Sequence, residues 1–185
     1  MSESRKKVAP IIASVVGALL VAFLWVLVTA EPNTADDADS PLLGQPAPSV
    51  VSTTLDDEEF VLANRKGSWV IFNFFNSTCV PCIAEHPELV AFNERELQAS
   101  NPAEIYTVIN DDNDASVRAF FAKNGGDWQK VRDTDGAISV AFGVAKVPET
   151  WVIDPNGYVR LRIAGMLTPG LLDDQLAQLK TQFGS

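Results

Sequence analysis

The longest apolar run of the sequence lies near the N-terminus, where residues 10–30 contain no charged side chain. A helix of this length extends about 32 Å, close to the ~30 Å hydrocarbon thickness of a bilayer. Arg5, Lys6 and Lys7 precede the run and acidic residues follow it. Basic residues tend to stay on the cytoplasmic side of a membrane, so residues 1–9 are predicted to be a cytoplasmic N-terminus. The pattern predicts one transmembrane helix at residues 10–30, with the rest of the chain on the exoplasmic or periplasmic face.

A cleaved signal peptide is the alternative interpretation of the same segment. Val28, Thr29 and Ala30 offer small residues for a cleavage site, but the apolar run exceeds the usual ~7–15 residues of a signal peptide. The anchor is therefore favoured, and both interpretations place the remaining chain outside the cytoplasm. Residues 31–41, which are rich in Asp, Pro and Ala, are predicted to form a flexible acidic linker.

Short segments that are apolar, or in which apolar and polar residues alternate, follow the linker and indicate one domain over residues 42–185. Two runs at residues 50–54 and 60–62 flank four acidic residues and predict a hairpin. The nearly continuous apolar run 69–75 is typical of a strand that is buried on both faces. Further strands are predicted at residues 104–109, 150–153 and 158–163, and helices at residues 83–98, 137–142 and 171–183 and over Val117, Phe120 and Phe121. This order of elements predicts an α/β fold with a mixed central sheet and helices on both faces.

Charge and the count of metal-ligating residues narrow the function classes. The 185 residues include 14 Lys and Arg and 24 Asp and Glu, a formal net charge of −10. This balance argues against nucleic-acid binding, which needs clustered basic side chains to neutralise phosphates. Two cysteines and one histidine cannot supply the four ligands of a structural zinc site. No metal site and no cofactor are predicted.

The two cysteines belong to the segment Cys79-Val80-Pro81-Cys82, between the predicted buried strand and the helix after it. At a helix N-terminus, unpaired backbone N–H groups and the positive end of the helix dipole stabilise a thiolate. Pro81 suits the first helical turn because its missing N–H has no partner to lose there. We therefore predict a redox-active disulfide, with Cys79 as the nucleophile and Cys82 as the more buried resolving thiol. A passive short-loop disulfide is the alternative.

Several motifs together resemble one known family. They are the Cys79–Cys82 segment after a buried strand, the segment 142–150 (Phe-Gly-Val-Ala-Lys-Val-Pro-Glu-Thr), the segment 44–48 and the Asp-Pro-Asn-Gly turn at 154–157. The combination resembles the thioredoxin fold. More narrowly, it is similar to the membrane-anchored TlpA/ResA/CcmG (DsbE) group of cytochrome c biogenesis and thiol–disulfide interchange proteins. The resemblance covers about residues 42–183.

The resemblance implies roles for several residues. Val147–Pro148 is expected to be a cis peptide bond that faces the cysteines, where a substrate strand pairs with the backbone. Thioredoxins keep a buried Asp six residues before the first cysteine, and this chain has Asn73 there, which cannot accept a proton. Glu85 matches the active-site glutamate of the group. Glu149, beside Pro148, is a second candidate acid and a candidate substrate contact.

Three further positions have separate interpretations. Relatives usually carry Trp before the first cysteine, whereas this chain has Thr78, so the surface that faces the substrate is expected to be more polar. Asn76 begins a glycosylation sequon, but its position beside the reactive thiol argues against occupancy. His86 is expected on the helix surface or partly packed, without a role as a catalytic base or ligand.

The resemblance implies a protein-disulfide oxidoreductase whose substrate is a disulfide-bearing protein. The implied substrate is the Cys-x-x-Cys-His haem attachment site of apocytochrome c, and a membrane thiol electron donor would regenerate the dithiol. Proline at the second position between the cysteines, here Pro81, resembles the motif of reducing members of the family, which implies that electrons flow to the substrate. A peroxiredoxin is disfavoured, because it would need Thr and Pro where this chain has Asn76 and Phe72. A non-catalytic thioredoxin-like binding module and a copper-delivery module are the alternatives, although copper chaperones separate their cysteines by one residue more.

Overall fold

The computed structural model describes residues 4–29, 36–37 and 39–184. The chain divides into two compact units, residues 1–33 and 34–185. Helix α1 (Ser4–Thr29) belongs to the first unit and contains the predicted anchor 10–30 except Ala30, which lies outside the described residues. Within the described ranges, no helix combines the length and the apolar character needed to cross a membrane.

The second unit is a mixed α/β structure. Its strands are β1 (Asp36–Asp37), β2 (Val51–Thr53), β3 (Glu59–Val61), β4 (Trp69–Phe75), β5 (Ala103–Ile109), β6 (Lys130–Arg132), β7 (Glu149–Ile153) and β8 (Val159–Ala164). Its helices are α2 (Val80–Glu96), α3 (Asp114–Asn124), α4 (Ala137–Phe142) and α5 (Leu171–Phe183), and a short 3₁₀ helix spans Leu62–Arg65. As far as the chain is described, the central sheet has the order β1-β8-β7-β4-β5-β6, and β2 pairs with β3 in a separate hairpin. β4, β5 and β6 are parallel, whereas β7 and β8 are antiparallel to their neighbours, so the predicted mixed sheet is confirmed.

β4 lies at the centre of the core, because all of its residues are buried. Successive side chains of a strand point to opposite faces of the sheet. The odd-numbered apolar residues of β4 belong to a cluster that includes residues of α2, α3 and α5, and the even-numbered ones belong to a cluster that includes residues of β3 and α4. Asn73 has an odd number, so it places a polar side chain on the face that α2 covers.

The structure contains two strands that the sequence pattern does not predict. β6 has one buried apolar residue, Val131, which is too few for an alternating pattern. β1 lies in the predicted flexible linker 31–41, where residues 36–37 pair with β8. A strand edge offers free N–H and C=O groups, so even a short acidic segment can pair with it. Residues 31–35 and 38 lie outside the described part of the chain.

The carboxyl end of β4 positions the cysteines. β4 ends at Phe75 and α2 begins at Val80, so residues 76–79 form the turn between them. β7 lies antiparallel beside β4, with Glu149 opposite Phe74. The loop before β7 therefore reaches the same end of the sheet as the cysteines.

Candidate active site at the Cys79–Cys82 disulfide

Cys79 and Cys82 form a disulfide at the N-terminus of α2, with sulfurs 2.19 Å apart and Cα atoms 5.2 Å apart. Cys79 is the N-cap residue, and its Sγ accepts a hydrogen bond from the backbone N–H of Cys82 at 3.3 Å. Pro81 lies in the first helical turn. Cys79 is half-buried and follows the exposed Thr78, whereas Cys82 is fully buried. A second disulfide can therefore approach the sulfur of Cys79 and not that of Cys82.

The loop before β7 forms a second wall of the site. Val147–Pro148 is a cis peptide bond, as the family resemblance implies. The carbonyl oxygen of Val147 lies 3.6 Å from Cys79 Sγ, and Pro148 is buried. The backbone of this loop thus faces the sulfur of Cys79, the predicted nucleophile.

Glu85 lies on the buried face of α2, three residues after Cys82, and is 1% exposed. Its Oε1 accepts the Asn73 Nδ2–H at 2.8 Å, and its Oε2 accepts the backbone N–H of Leu167 at 2.7 Å. Burial raises the pKa of Glu85 to about 7, and the two hydrogen bonds only partly offset this effect. Near neutral pH the carboxyl can therefore both accept and release a proton.

Asn73 connects Glu85 to the strand that follows the cis-proline loop. Its Nδ2 donates to Thr150 Oγ1 at 3.2 Å as well as to Glu85. Among the described residues, Asn73 Oδ1 has no hydrogen-bond partner. The amide thus acts as a donor towards Glu85, and donors favour the charged form of a carboxyl. Where thioredoxins keep an acid, this chain has a group that tunes a neighbouring acid.

Glu149 is also 1% exposed, but it has a cationic partner. Arg162 donates from Nε to Glu149 Oε2 at 3.0 Å and from Nη2 to Glu149 Oε1 at 2.9 Å. The same Oε1 accepts the backbone N–H of Ala145 at 3.3 Å. The carboxylate is therefore engaged with its own chain, and a role for Glu149 as a substrate contact stays a prediction.

Polar contacts fix the turn before Cys79 to the loop after β5. Asn76 Nδ2 donates to the carbonyl oxygens of Asn110 at 3.0 Å and of Asp111 at 2.7 Å. The backbone N–H of Ser77 donates to Asp112 Oδ2 at 2.6 Å. Asn76 is therefore engaged through the amide nitrogen to which a glycan would be attached.

His86 is not on the helix surface, so that part of its prediction is wrong. It is 2% exposed, and its ring centroid lies 4.8 Å from that of Phe120, 5.1 Å from that of Phe121 and 5.8 Å from that of Trp128. Its Nε2 lies 3.1 Å from the Gly125 carbonyl oxygen, and burial lowers the pKa of the imidazole. Aromatic residues from α3 and from the segment before β6 cover the ring, a contact that the pattern of α2 alone does not reveal.

Two residues that form hydrogen bonds to Glu85 and Glu149 could not be identified from the sequence pattern. Arg162 follows the alternation of β8, in which every second residue is only partly buried, so it looks like an ordinary surface position. Leu167 contributes through its backbone N–H, and any residue except proline could do so. Such roles become visible only when the strands are placed side by side.

Comparisons with known proteins agree with this arrangement. Residues 43–162 match the AhpC/TSA family. The chain is 30% identical to the thiol:disulfide interchange protein DsbE of Pseudomonas aeruginosa, over 77% of this chain and 78% of that protein. It is 28% identical to the thiol-disulfide oxidoreductase ResA of Bacillus subtilis, over 74% of this chain and 75% of that protein. A crystal structure of a thioredoxin-family thiol:disulfide interchange protein from Chlorobium tepidum has a TM-score of 0.65 at 25% identity and covers 76% of this chain and 98% of its own.

The sheet, the Cys-x-x-Cys disulfide at a helix N-terminus and the cis-proline loop define a thioredoxin-like thiol–disulfide oxidoreductase. The chain belongs to the AhpC/TSA family. Within that family it is an oxidoreductase of the DsbE/ResA type. The family and the enzyme class implied by the sequence motifs are confirmed.

Proposed function

We propose that the protein is a membrane-tethered reductant of protein disulfides, such as the haem-attachment cysteines of apocytochrome c. Residues 10–30 would anchor it with residues 1–9 in the cytoplasm and residues 42–185 on the exoplasmic face. The observation that carries the proposed chemistry is the position of Cys79: half-buried, at a helix N-terminus, with its Sγ 3.6 Å from the Val147 carbonyl oxygen. The helix N-terminus, with the Cys82 N–H directed at Sγ, favours a thiolate, and the partial exposure of Cys79 leaves the sulfur open to a second disulfide.

The proposed cycle starts from the dithiol form. The Cys79 thiolate attacks one sulfur of a substrate disulfide, forms a mixed disulfide and releases the other substrate sulfur as a thiolate. Cys82 then loses its proton and attacks Cys79 Sγ, which breaks the mixed disulfide and releases the second substrate thiolate. The products are a substrate dithiol and the Cys79–Cys82 disulfide. Two electrons pass from the enzyme to the substrate; one proton comes from Cys82, and the other comes from the solvent, to which Cys79 had already lost its own.

Glu85 is suited to handle the proton of Cys82. Both side chains lie on the buried face of α2, and residues three apart are neighbours on a helix surface. A carboxyl with a pKa of about 7 can accept the thiol proton when Cys82 becomes the nucleophile and can release it when the substrate leaves. Glu85 is therefore assigned as the general base of the second step.

The disulfide left by each turnover needs a source of two electrons. Outside the cytoplasm, thiols are not kept reduced by the cytosolic glutathione and thioredoxin systems. We therefore assign regeneration to a membrane protein with an exposed dithiol, which would attack Cys79 Sγ and become oxidised. Pro81 supports this direction of flow by its likeness to reducing members of the thioredoxin family.

Cys82→Ser tests the exchange step directly. The reduced variant keeps the nucleophile but lacks the resolving thiol, so it should stay covalently joined through Cys79 to an oxidised Cys-x-x-Cys-His peptide. Cys79→Ser is the matched control, because its remaining thiol is fully buried. Non-reducing mass spectrometry should show the adduct with the first variant and not with the second. No adduct with either variant would contradict exchange, and Cu(I) binding without any exchange would favour copper delivery.

The location is tested separately with the full chain and a variant that lacks residues 1–30. The full chain should stay in the membrane fraction after an alkaline carbonate wash, whereas the shortened chain should not. Protease added to intact spheroplasts should degrade residues 42–185. Recovery of the full chain in the wash would contradict the anchor, protection from protease would contradict the exoplasmic location, and a mature mass without residues 1–30 would favour the signal peptide.

A further inference from the structure

The ion pair between Arg162 and Glu149 lies at the end of the cis-proline loop but has no part in the proposed sulfur chemistry. Arg162 contacts both carboxylate oxygens of Glu149 through Nε and Nη2, a two-bond geometry that an ammonium group cannot reproduce. Glu149 directly follows the cis peptide bond Val147–Pro148. The pair thus attaches β8 to the end of the cis-proline loop.

The carboxylate of Glu149 also reaches back across the loop. Its Oε1 accepts the backbone N–H of Ala145 at 3.3 Å, four residues earlier in the chain. The segment that this contact closes contains Val147, whose carbonyl oxygen lies 3.6 Å from Cys79 Sγ. A shift of the Glu149 carboxylate would therefore be transmitted to the backbone that faces the reactive sulfur.

Further contacts support the same loop and the guanidinium of Arg162. The backbone N–H of Gly165 donates to the Pro148 carbonyl oxygen at 3.0 Å. The Arg162 guanidinium carbon lies 5.3 Å from the ring centroid of Trp151, its cross-strand neighbour, and Arg162 Nη1 donates to the Asp39 carbonyl oxygen at 3.2 Å. Arg162 is therefore held in one orientation by contacts on several sides.

We propose that Arg162 is a positioning residue for disulfide exchange: through Glu149 it fixes the cis-proline loop at the distance from Cys79 that a substrate strand needs. The inference rests on the proposed function, because it concerns the same site and the same substrates. Misplacing a positioning group by about 1 Å can slow a reaction up to about a hundredfold. The rate at which Cys79 reacts with a small reagent should not change, because such a reagent does not pair with the loop.

The chain supplies a matched control on the same strand. Arg160, two residues before Arg162, forms an ion pair with the fully buried carboxylate of Asp154 at 2.7 Å. Asp154 follows the far end of β7, about 17 Å along the strand from Glu149 at ~3.4 Å per residue. Both pairs join an arginine of β8 to a buried acid, but only the Arg162 pair contacts the cis-proline loop in the described part of the chain. Loss of an ion pair as such can thus be separated from loss of loop position.

The experiment compares Arg162→Gln, Arg162→Lys, Glu149→Gln and Arg160→Gln in the full chain. Two rate constants are measured for each reduced variant: reduction of an oxidised Cys-x-x-Cys-His peptide, and alkylation of Cys79 by iodoacetamide. Arg162→Gln and Glu149→Gln should lower the peptide rate about tenfold or more while the alkylation rate changes less than about twofold. Arg162→Lys should give an intermediate peptide rate, and Arg160→Gln should leave the ratio of the two rates unchanged.

The possible outcomes separate the two proposals. Suppose that the unmodified protein reduces the peptide and that Arg162→Gln has the same ratio of peptide-reduction rate to alkylation rate as the unmodified protein. The positioning role is then wrong and the proposed function stands. Equal losses for Arg162→Gln and Arg160→Gln would also overturn it, because they would indicate a general effect of the lost ion pair. If the unmodified protein does not reduce the peptide while Cys79 is alkylated normally, the proposed function itself fails. Should Arg162→Gln fail to fold, the Lys and Glu149→Gln variants give the same comparison.

Discussion

Glu85 and Glu149 are both 1% exposed, and each lies within three residues of a residue that forms or contacts the disulfide. Their partners differ. Glu85 is bonded to two neutral donors, the amide of Asn73 and the backbone N–H of Leu167, and burial raises its pKa to about 7. Glu149 is bonded to the guanidinium of Arg162, which balances its charge.

This difference shows that burial alone does not decide what an acid beside a redox centre can do. Neutral donors leave a buried carboxyl close to the pH at which it gains or loses a proton, so it can take part in proton transfer. A cation held in a two-bond geometry instead makes the carboxylate a fixed structural contact. One site thus contains an acid suited to chemistry and an acid suited to position.

The largest effect is expected when the cation is removed from Glu149. Arg162→Met would leave a buried carboxylate without its partner, which typically costs about 3–5 kcal/mol of stability. Urea unfolding of the oxidised protein at pH 7 should show this loss. The double variant Arg162→Met/Glu149→Gln should recover part of it, because the buried charge is gone. An unchanged unfolding midpoint for the single variant would remove the contrast between the two acids.

Glu85→Gln should have the opposite effect on stability at neutral pH. The folded protein holds the Glu85 proton with a pKa of about 7, whereas the usual value is 4.5, so the folded state binds this proton more tightly than the unfolded state between these values. Stability from this group therefore falls as pH rises through that window, by up to about 3 kcal/mol.

The measurement is urea unfolding of the oxidised parent and of the Gln variant from pH 4 to pH 8. The variant should gain stability relative to the parent as pH rises and should keep that gain above pH 7. Comparing the two proteins cancels the contributions of other titrating groups. Parallel stability curves would show that Glu85 does not titrate in this range.

The smallest expected effect concerns the donor that moderates Glu85. Asn73→Ala removes a hydrogen bond that lowers the pKa of Glu85. The midpoint of the Glu85 titration should therefore rise above about 7, by up to about one pH unit. Carboxyl carbon NMR of the oxidised protein would follow the titration. Thr150→Val is the control, because Thr150 Oγ1 contacts Asn73 and the change should move the midpoint less. Equal shifts for both variants would point to a general packing effect.

Much of the fold is predictable from the sequence because its strongest patterns are local. The apolar run of β4 and the helix-initiating segment around Pro81 identify the strand, the helix and the turn that carries the cysteines. The ends of the predicted strands and helices differ from those of the structure by up to three residues. β6, with one buried apolar residue, lies below what such patterns can detect.

The site is predictable where chemistry depends on residue type and spacing, as it does for Cys79 and Cys82. It is less predictable where the partner is distant in sequence. Glu85 can be noticed from the sequence, but its pKa depends on Asn73 and on the backbone of Leu167, 82 positions further along the chain. The pairing of Glu149 with Arg162 depends on the register of β7 against β8, which local patterns do not specify.

The amide of Asn76, which holds the turn before Cys79 to the loop after β5, has a practical consequence for expression. Its Nδ2 is the atom that a eukaryotic secretory host would glycosylate in the sequence Asn-Ser-Thr. A sugar attached before folding would replace one of the two Nδ2–H donors, so the carbonyls of Asn110 and Asp111 could no longer each accept a hydrogen bond from Asn76. Material secreted from yeast or mammalian cells would then carry intact cysteines on a distorted turn, so bacterial production is the sound choice for enzymology.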